Sequence, residues 1–133
     1  MIKFNILFRA CEKERRDKTN RPYGLNKTQI IKVSFYSIYQ AIQGMSYKFV
    51  VVGDDLSQGL LNFFSLFDDI IIDNDNLGSA SKSLQKQIDL ALEVSDEEWV
   101  YMCEDDYLHT PYSFQYISEF LENKEQYIKT SGG

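Results

Sequence analysis

Apolar residues along the chain recur with two different periods, and the change from one to the other marks the elements. Lys3–Phe8 (KFNILF) is a short β-rich run and predicts a first strand. A polar stretch, Arg9–Asn26, follows, with Arg15, Arg16, Asn20, Pro22 and Gly24. It is longer than an ordinary connection, which points to a loop that is either functional or mobile. Thr28–Gln43 predicts a helix, because Ile31, Phe35, Ile38 and Ile42 recur at spacings of four, three and four. Gly44 stands where a C-terminal cap belongs. Tyr47–Val52 predicts the second strand. Its apolar stretch Phe49–Val52 does not alternate, as expected of a strand buried on both faces.

Gln58–Phe67 reads as a short apolar helix or turn, Asp69–Asp73 as a third strand, and Asn74–Gly78 as a turn. Ser81–Val94 predicts a helix with Leu84, Ile88, Ala91 and Leu92 inward and Lys82, Lys86 and Asp89 on its polar face. Trp99–Cys103 (WVYMC) predicts the fourth strand. Thr110 and Pro111 suit an N-cap and first helical position, ahead of the stripe Phe114, Ile117 and Leu121. The tail Tyr127–Gly133 carries no signal. The order β-α-β-α-β-α-β-α predicts a three-layer α/β/α domain with a mainly parallel sheet. The 133 residues suit a single domain, 1–133.

Composition narrows the class. Apolar residues make up 44% and charged residues 26%, an ordinary globular balance that argues against disorder. No apolar run approaches the ~18 residues of a membrane-spanning helix. Met1–Phe8 is too short and interrupted for a signal peptide. Two cysteines, Cys11 and Cys103, make neither a disulfide scaffold nor a zinc site on their own, so reduced thiols and a cytoplasmic location are expected. The net charge of −6 argues against nonspecific nucleic-acid binding.

The charge is unevenly distributed. Residues 1–32 hold nine basic and three acidic residues, whereas the stretch from Asp54 to Asn76 holds six Asp and no Lys or Arg. Ligands of open parallel sheets gather at the carboxyl ends of the strands. Three of the four predicted strands end in acids: Asp54-Asp55, Asp73 with Asp75, and Glu104-Asp105-Asp106. Asp68, Asp69 and Asp73 are adequately explained as turn and cap residues. The Glu104–Asp106 triplet follows an apolar strand, and three acids there need a cationic partner. A divalent cation bound by hard oxygen ligands meets that need, magnesium (Mg2+) or manganese (Mn2+) best.

Taken together, Val50-Val51-Val52-Gly53-Asp54-Asp55, Asp75-Asn76-Leu77-Gly78-Ser79 and Tyr101-Met102-Cys103-Glu104-Asp105-Asp106-Tyr107-Leu108-His109 give the chain a family likeness. It resembles the nucleotide-binding, N-terminal half of a family-2-like glycosyltransferase of the GT-A fold, over most of residues 3–122. In that family an Asp-x-Asp motif closes a strand, and its last carboxylate binds the metal that holds the donor diphosphate. Glu104-Asp105-Asp106 stands in that place, with Glu replacing the first Asp.

The resemblance implies roles for particular residues. Arg9 would lie beside the nucleoside, and Asp54 or Asp55 would accept hydrogen bonds from the base. Asn76 and Gly78 would border the nucleotide, and Lys82 would approach the donor. Glu104 and Asp105 would contribute to the nucleotide side, Asp105 by contacting the ribose or by helping to hold the metal. Asp106, with His109 three residues on, would be the metal ligands. The implied partners are a nucleotide-sugar donor and an unidentified acceptor.

Expulsion of a nucleoside diphosphate suits a Lewis-acid metal. An inverting transfer also needs a general base, which the family draws from beyond the aspartate motif. Only 27 residues follow Asp106, so the acceptor half is expected to be missing. Donor binding for glycosyl transfer is the leading expectation, with a non-catalytic nucleotide or nucleotide-sugar binding module as the alternative. A receiver domain fails on order, because VVVGDD begins at residue 50. A dinucleotide-binding fold lacks Gly-x-Gly-x-x-Gly after its first strand. An open sheet edge beside the fourth strand, with apolar surface around Trp99 and Tyr101, gives the further expectation of a homodimer.

Overall fold

A computed structural model describes residues 2–13 and 24–124 of the chain. Four strands and four helices alternate through them: β1 Lys3–Ala10, α1 Lys27–Ile42, β2 Ser46–Asp54, α2 Gln58–Phe64, β3 Ile70–Asp75, α3 Ala80–Leu92, β4 Trp99–Glu104 and α4 Ser113–Glu122. The sheet has the order β3-β2-β1-β4, and every neighbouring pair is parallel. The expected α/β architecture is therefore present, with a Rossmann-like arrangement of a parallel sheet between helices. Positions 14–23 of the polar stretch Arg9–Asn26, including Arg15, Arg16, Asn20 and Pro22, lie outside the described residues, as does the tail Tyr127–Gly133.

Strand pleating sends alternate residues to opposite faces and makes two unequal cores. Phe4, Ile6, Phe8 and Ala10 of β1 join Phe49 and Val51 of β2 beneath α1, α2 and α4. Phe35 of α1 is the centre of this face, 4.9 Å from the rings of both Phe64 and Phe67 and 5.5 Å from Phe49. Edge-to-face aromatic pairs contribute about 0.5–1.5 kcal/mol each beyond the area they bury. The opposite core is small, Leu7, Val50 and Val52, and α3 covers it.

Several boundaries differ from the sequence reading, each for an identifiable reason. β1 continues through Arg9 to Ala10, because parallel pairing with β2 runs on to Gly53. β3 absorbs Asn74 and Asp75, since their backbones pair with Gly53 and Asp54, so the turn shrinks. α1 starts at Lys27, where Asn26 and Gln29 form a reciprocal capping box. α4 starts after Tyr112, so Thr110 is not its cap.

The face of α3 is the largest correction. Leu84, Ile88 and Leu92, expected inward, are exposed. Ser83 and Gln87 are buried in their place, and Leu90 and Ala91 pack on the minor core. Gln87 donates from Nε2 to the carbonyls of Leu7 (2.7 Å) and Cys103 (3.3 Å). A polar anchor onto strand carbonyls outweighs the apolar stripe, because a buried unpaired acceptor costs more than an exposed leucine.

Gly53 is where β2, β3 and the chain leading into α2 converge. A Cβ there would lie 2.6 Å from Leu56 Cδ1 and 2.8 Å from Asn74 Oδ1. Asn74 Oδ1 in turn accepts the Leu56 N–H at 2.9 Å, so it cannot retreat freely. Gly53→Ala is expected to destabilise the chain by about 1–3 kcal/mol through overpacking. Urea unfolding checks this: the midpoint should fall while the slope is unchanged.

Candidate functional site

The carboxyl ends of the four strands form one edge, and a hydrogen-bonded network runs along it. Asp54, the last residue of β2, is 0% exposed. Its Oδ1 accepts the N–H groups of Leu77 (2.8 Å) and Gly78 (3.2 Å). Gly78 has φ +80°, a left-handed conformation suited to glycine, so the β3–α3 turn can present both donors. The Cys11 Sγ lies 3.9 Å from Asp54 Oδ2. Ser79 then caps α3 by accepting the Lys82 N–H at 3.2 Å.

Register carries the network from β1 to β4. Arg9 is paired directly with Glu104 in the ladder, and its guanidinium forms an ion pair with that carboxylate. Its Nη1 also donates to the Ala80 carbonyl at 3.2 Å, which joins the start of α3 to the end of β4. Arg9 Nε is buried without a hydrogen-bond acceptor. Asp105 is buried as well. It accepts the Cys11 N–H at 2.9 Å and a Lys27 ammonium proton at 2.8 Å. Glu12 accepts the Ser57 N–H (2.6 Å) and the Thr28 hydroxyl (2.9 Å), a carboxylate placed between the starts of α1 and α2. Lys86 of α3 bridges Asp73 (2.6 Å) and Asp75 on β3, and these contacts raise its pKa against the opposing effect of burial.

Around this network lie further exposed groups. Asp55 has φ +51° and faces Lys13 at 3.2 Å. Asn76, Lys82 and Asp106 are all exposed. The cationic partner that the acidic triplet needs is thus supplied by the chain itself for two of its members. Arg9 neutralises Glu104 and Lys27 neutralises Asp105, while Asp106 is left facing solvent.

Two expectations change. Asp54 is closed off from solvent and engaged by the backbone, so of the two candidates for a base-reading carboxylate only Asp55 is accessible. His109 is not gathered with Asp106. Its Nε2 shares a 2.7 Å hydrogen bond with the Tyr101 hydroxyl, its N–H donates to Ser37 Oγ at 3.0 Å, and its ring stacks on Phe114. Burial pushes its imidazole below the ordinary histidine range, so it is neutral at pH 7. Among the described residues no group of three or more His, Cys, Asp or Glu could hold a metal ion.

The Cys103 thiol sits beneath the triplet. Burial, then the charges of Asp105, Asp106 and Glu104, push its pKa up to about 12. It stays protonated at neutral pH and donates to the Glu104 carbonyl, so it has no nucleophilic character. Raising the pH from the ordinary thiol range toward 12 favours the unfolded chain, whose thiolate forms first.

Sequence reasoning missed Lys27, Glu12 and the Cys11 backbone. Lys27 had a signal, the Asn26–Gln29 capping box that places it in the first turn of α1. Glu12 and Cys11 had none. A second cleft of about 360 Å3 lies on the α3 face at the other end of the strands, lined by Lys3, Asn5, Lys48, Leu90, Glu93 and Glu98 among others. It lies away from the carboxyl edge, where open parallel sheets bind their ligands. No helix among the described residues is long and apolar enough to cross a membrane. Comparison with protein-family models, with curated proteins and with solved structures finds no match to this chain.

Proposed function

We propose that the carboxyl edge of the sheet is a donor site for glycosyl transfer, binding a nucleotide-sugar. The observation that supports this reading is the network itself. Arg9, Asp54, Gly78, Glu104 and Asp105, assigned to the nucleotide side by resemblance from scattered positions, are joined through Ala80, Cys11 and the β3–α3 turn into one structure. In this reading the network is the floor of the site and the exposed groups meet the ligand. Asp55 accepts from the base, Asn76 borders the nucleoside, and Lys82 faces the diphosphate.

The residues present suit a shared divalent cation, not a protein-only cage. Mg2+ is commonly held by one or two carboxylates together with substrate phosphates. Asp106, exposed and outside the ion pairs of Glu104 and Asp105, is the carboxylate left to provide that contact. A divalent ion held there supplies Lewis-acid stabilisation of the departing nucleoside diphosphate. Arg9 and Lys27 keep Glu104 and Asp105 from repelling Asp106 and the donor at once.

One observation favours a second reading, a nucleotide-binding module without turnover. Glu104 and Asp105 are neutralised internally, Cys103 stays protonated, and His109 is half-buried against Tyr101 and Phe114. The described residues therefore offer few candidates for a general base.

Asp55→Ala separates base recognition from folding. Calorimetric titration of nucleoside diphosphates with each of the common bases should show one preferred base. The variant should lose about 1–3 kcal/mol for that base alone, while its unfolding midpoint falls slightly and equally with or without nucleotide, since Ala gives up the Lys13 pair and tolerates φ +51° less well than Asp. Equal losses for every base would assign Asp55 to the fold instead.

A further inference from the structure

The two edges of the sheet are protected to different degrees. β3 is short and polar at its end, with Asp73, Asn74 and Asp75 in the strand and Lys86 drawn across them. These are the features that keep an edge from pairing with other chains. β4 (WVYMCE) has no Pro, Lys or Arg, and no strand lies beyond it among the described residues. Trp99 and Met102, on its two faces, are 39% and 41% exposed. The helices of the two layers also carry exposed apolar side chains, Leu84 and Ile88 on α3 and Tyr116 on α4.

Charge indicates what kind of strand this edge accepts. Both ends of β4 are acidic, Asp96, Glu97 and Glu98 before it and Glu104, Asp105 and Asp106 at its close. Lys3, Arg9 and Lys27 neutralise Glu98, Glu104 and Asp105. Asp96, Glu97 and Asp106 are exposed. A second copy of the chain fits poorly. Two-fold pairing runs the two β4 strands antiparallel and sets the acidic end of each against the acidic end of the other, where like charges destabilise. The chain's own Lys124 places its Nζ 5.2 Å from the centre of the Trp99 ring, so a cation is compatible with this end of the strand.

We propose that the outer edge of β4 takes an added strand from a separate polypeptide, apolar at its centre and carrying Lys or Arg at both ends. Main-chain hydrogen bonds to β4 give the affinity, the apolar flanks seat alternate side chains, and the acidic ends select the partner.

Amide exchange of the full chain tests this with two synthetic probes, Lys-Lys-Val-Thr-Val-Thr-Val-Lys-Lys and the same peptide with Glu in place of every Lys. The Lys-ended probe should slow exchange at residues 99–104 by about tenfold or more. The Glu-ended probe should leave it unchanged, and added salt should weaken the effect. Met102→Lys, at an exposed position on the edge, should abolish the protection; should that variant unfold, the two peptides on the parent chain decide alone. Equal protection by both probes, no protection at 99–104 by either, or concentration-dependent dimerisation that protects β4 without peptide would each overturn the proposal.

Discussion

Asp54→Ala is expected to lower the thermal midpoint of the chain by roughly 10 °C. The carboxylate is fully buried and accepts two backbone N–H groups from the β3–α3 turn. Its removal leaves both donors without a partner in a place water reaches poorly. A buried unsatisfied group costs about 1–3 kcal/mol, so a combined loss of about 2–4 kcal/mol follows. Asp54→Asn keeps one acceptor oxygen and should lose about half as much. Differential scanning calorimetry of the two variants reads this directly. A midpoint unmoved by Asp54→Ala would mean that the turn is held by something other than this carboxylate. The contrast with Asp55 is informative, because adjacent aspartates divide the work: one holds the turn and the other lies exposed beside Lys13.

The alternation of elements was legible in the sequence, because strand and helix periods differ enough to separate β1 from α1 and β4 from α4. What remained hidden was mostly register. Nothing in the chain itself announces that Arg9 lies opposite Glu104, or that the Cys11 N–H reaches Asp105. Those relations depend on how far parallel pairing runs and on which strands are neighbours. The acidic triplet suggests a divalent cation, whereas Arg9 and Lys27, distant in sequence, pair with two of its members. The face of α3 was misread because its pattern presents leucine and isoleucine at helical spacing, while Gln87 gains two strand carbonyls. His109 shows the same limit. Its nearness to Asp106 in sequence says nothing about the direction in which the ring turns, and Tyr101 and Phe114 turn it inward.

Asp106 carries the largest expected effect on ligand binding. Glu104 and Asp105 are held in ion pairs, and the described residues form no metal cage of their own. The chain alone should therefore bind manganese weakly, and manganese and a nucleoside diphosphate should each strengthen the binding of the other, as linkage requires. Asp106→Ala removes the carboxylate of the triplet that stands outside the Arg9 and Lys27 ion pairs and should erase most of that coupling while leaving the fold intact. Losing one charge-assisted contact of this kind corresponds to about 1.5–3 kcal/mol, or roughly 10–150-fold in affinity.

The most direct measurement is isothermal titration of the preferred nucleoside diphosphate into the chain and into Asp106→Ala, each in manganese and in chelator. A donor site of the proposed kind gives affinity at least about tenfold tighter in manganese for the parent chain, and nearly equal affinities in both conditions for the variant. Equal affinity in manganese and chelator for the parent chain, or no nucleotide binding in either, would contradict it.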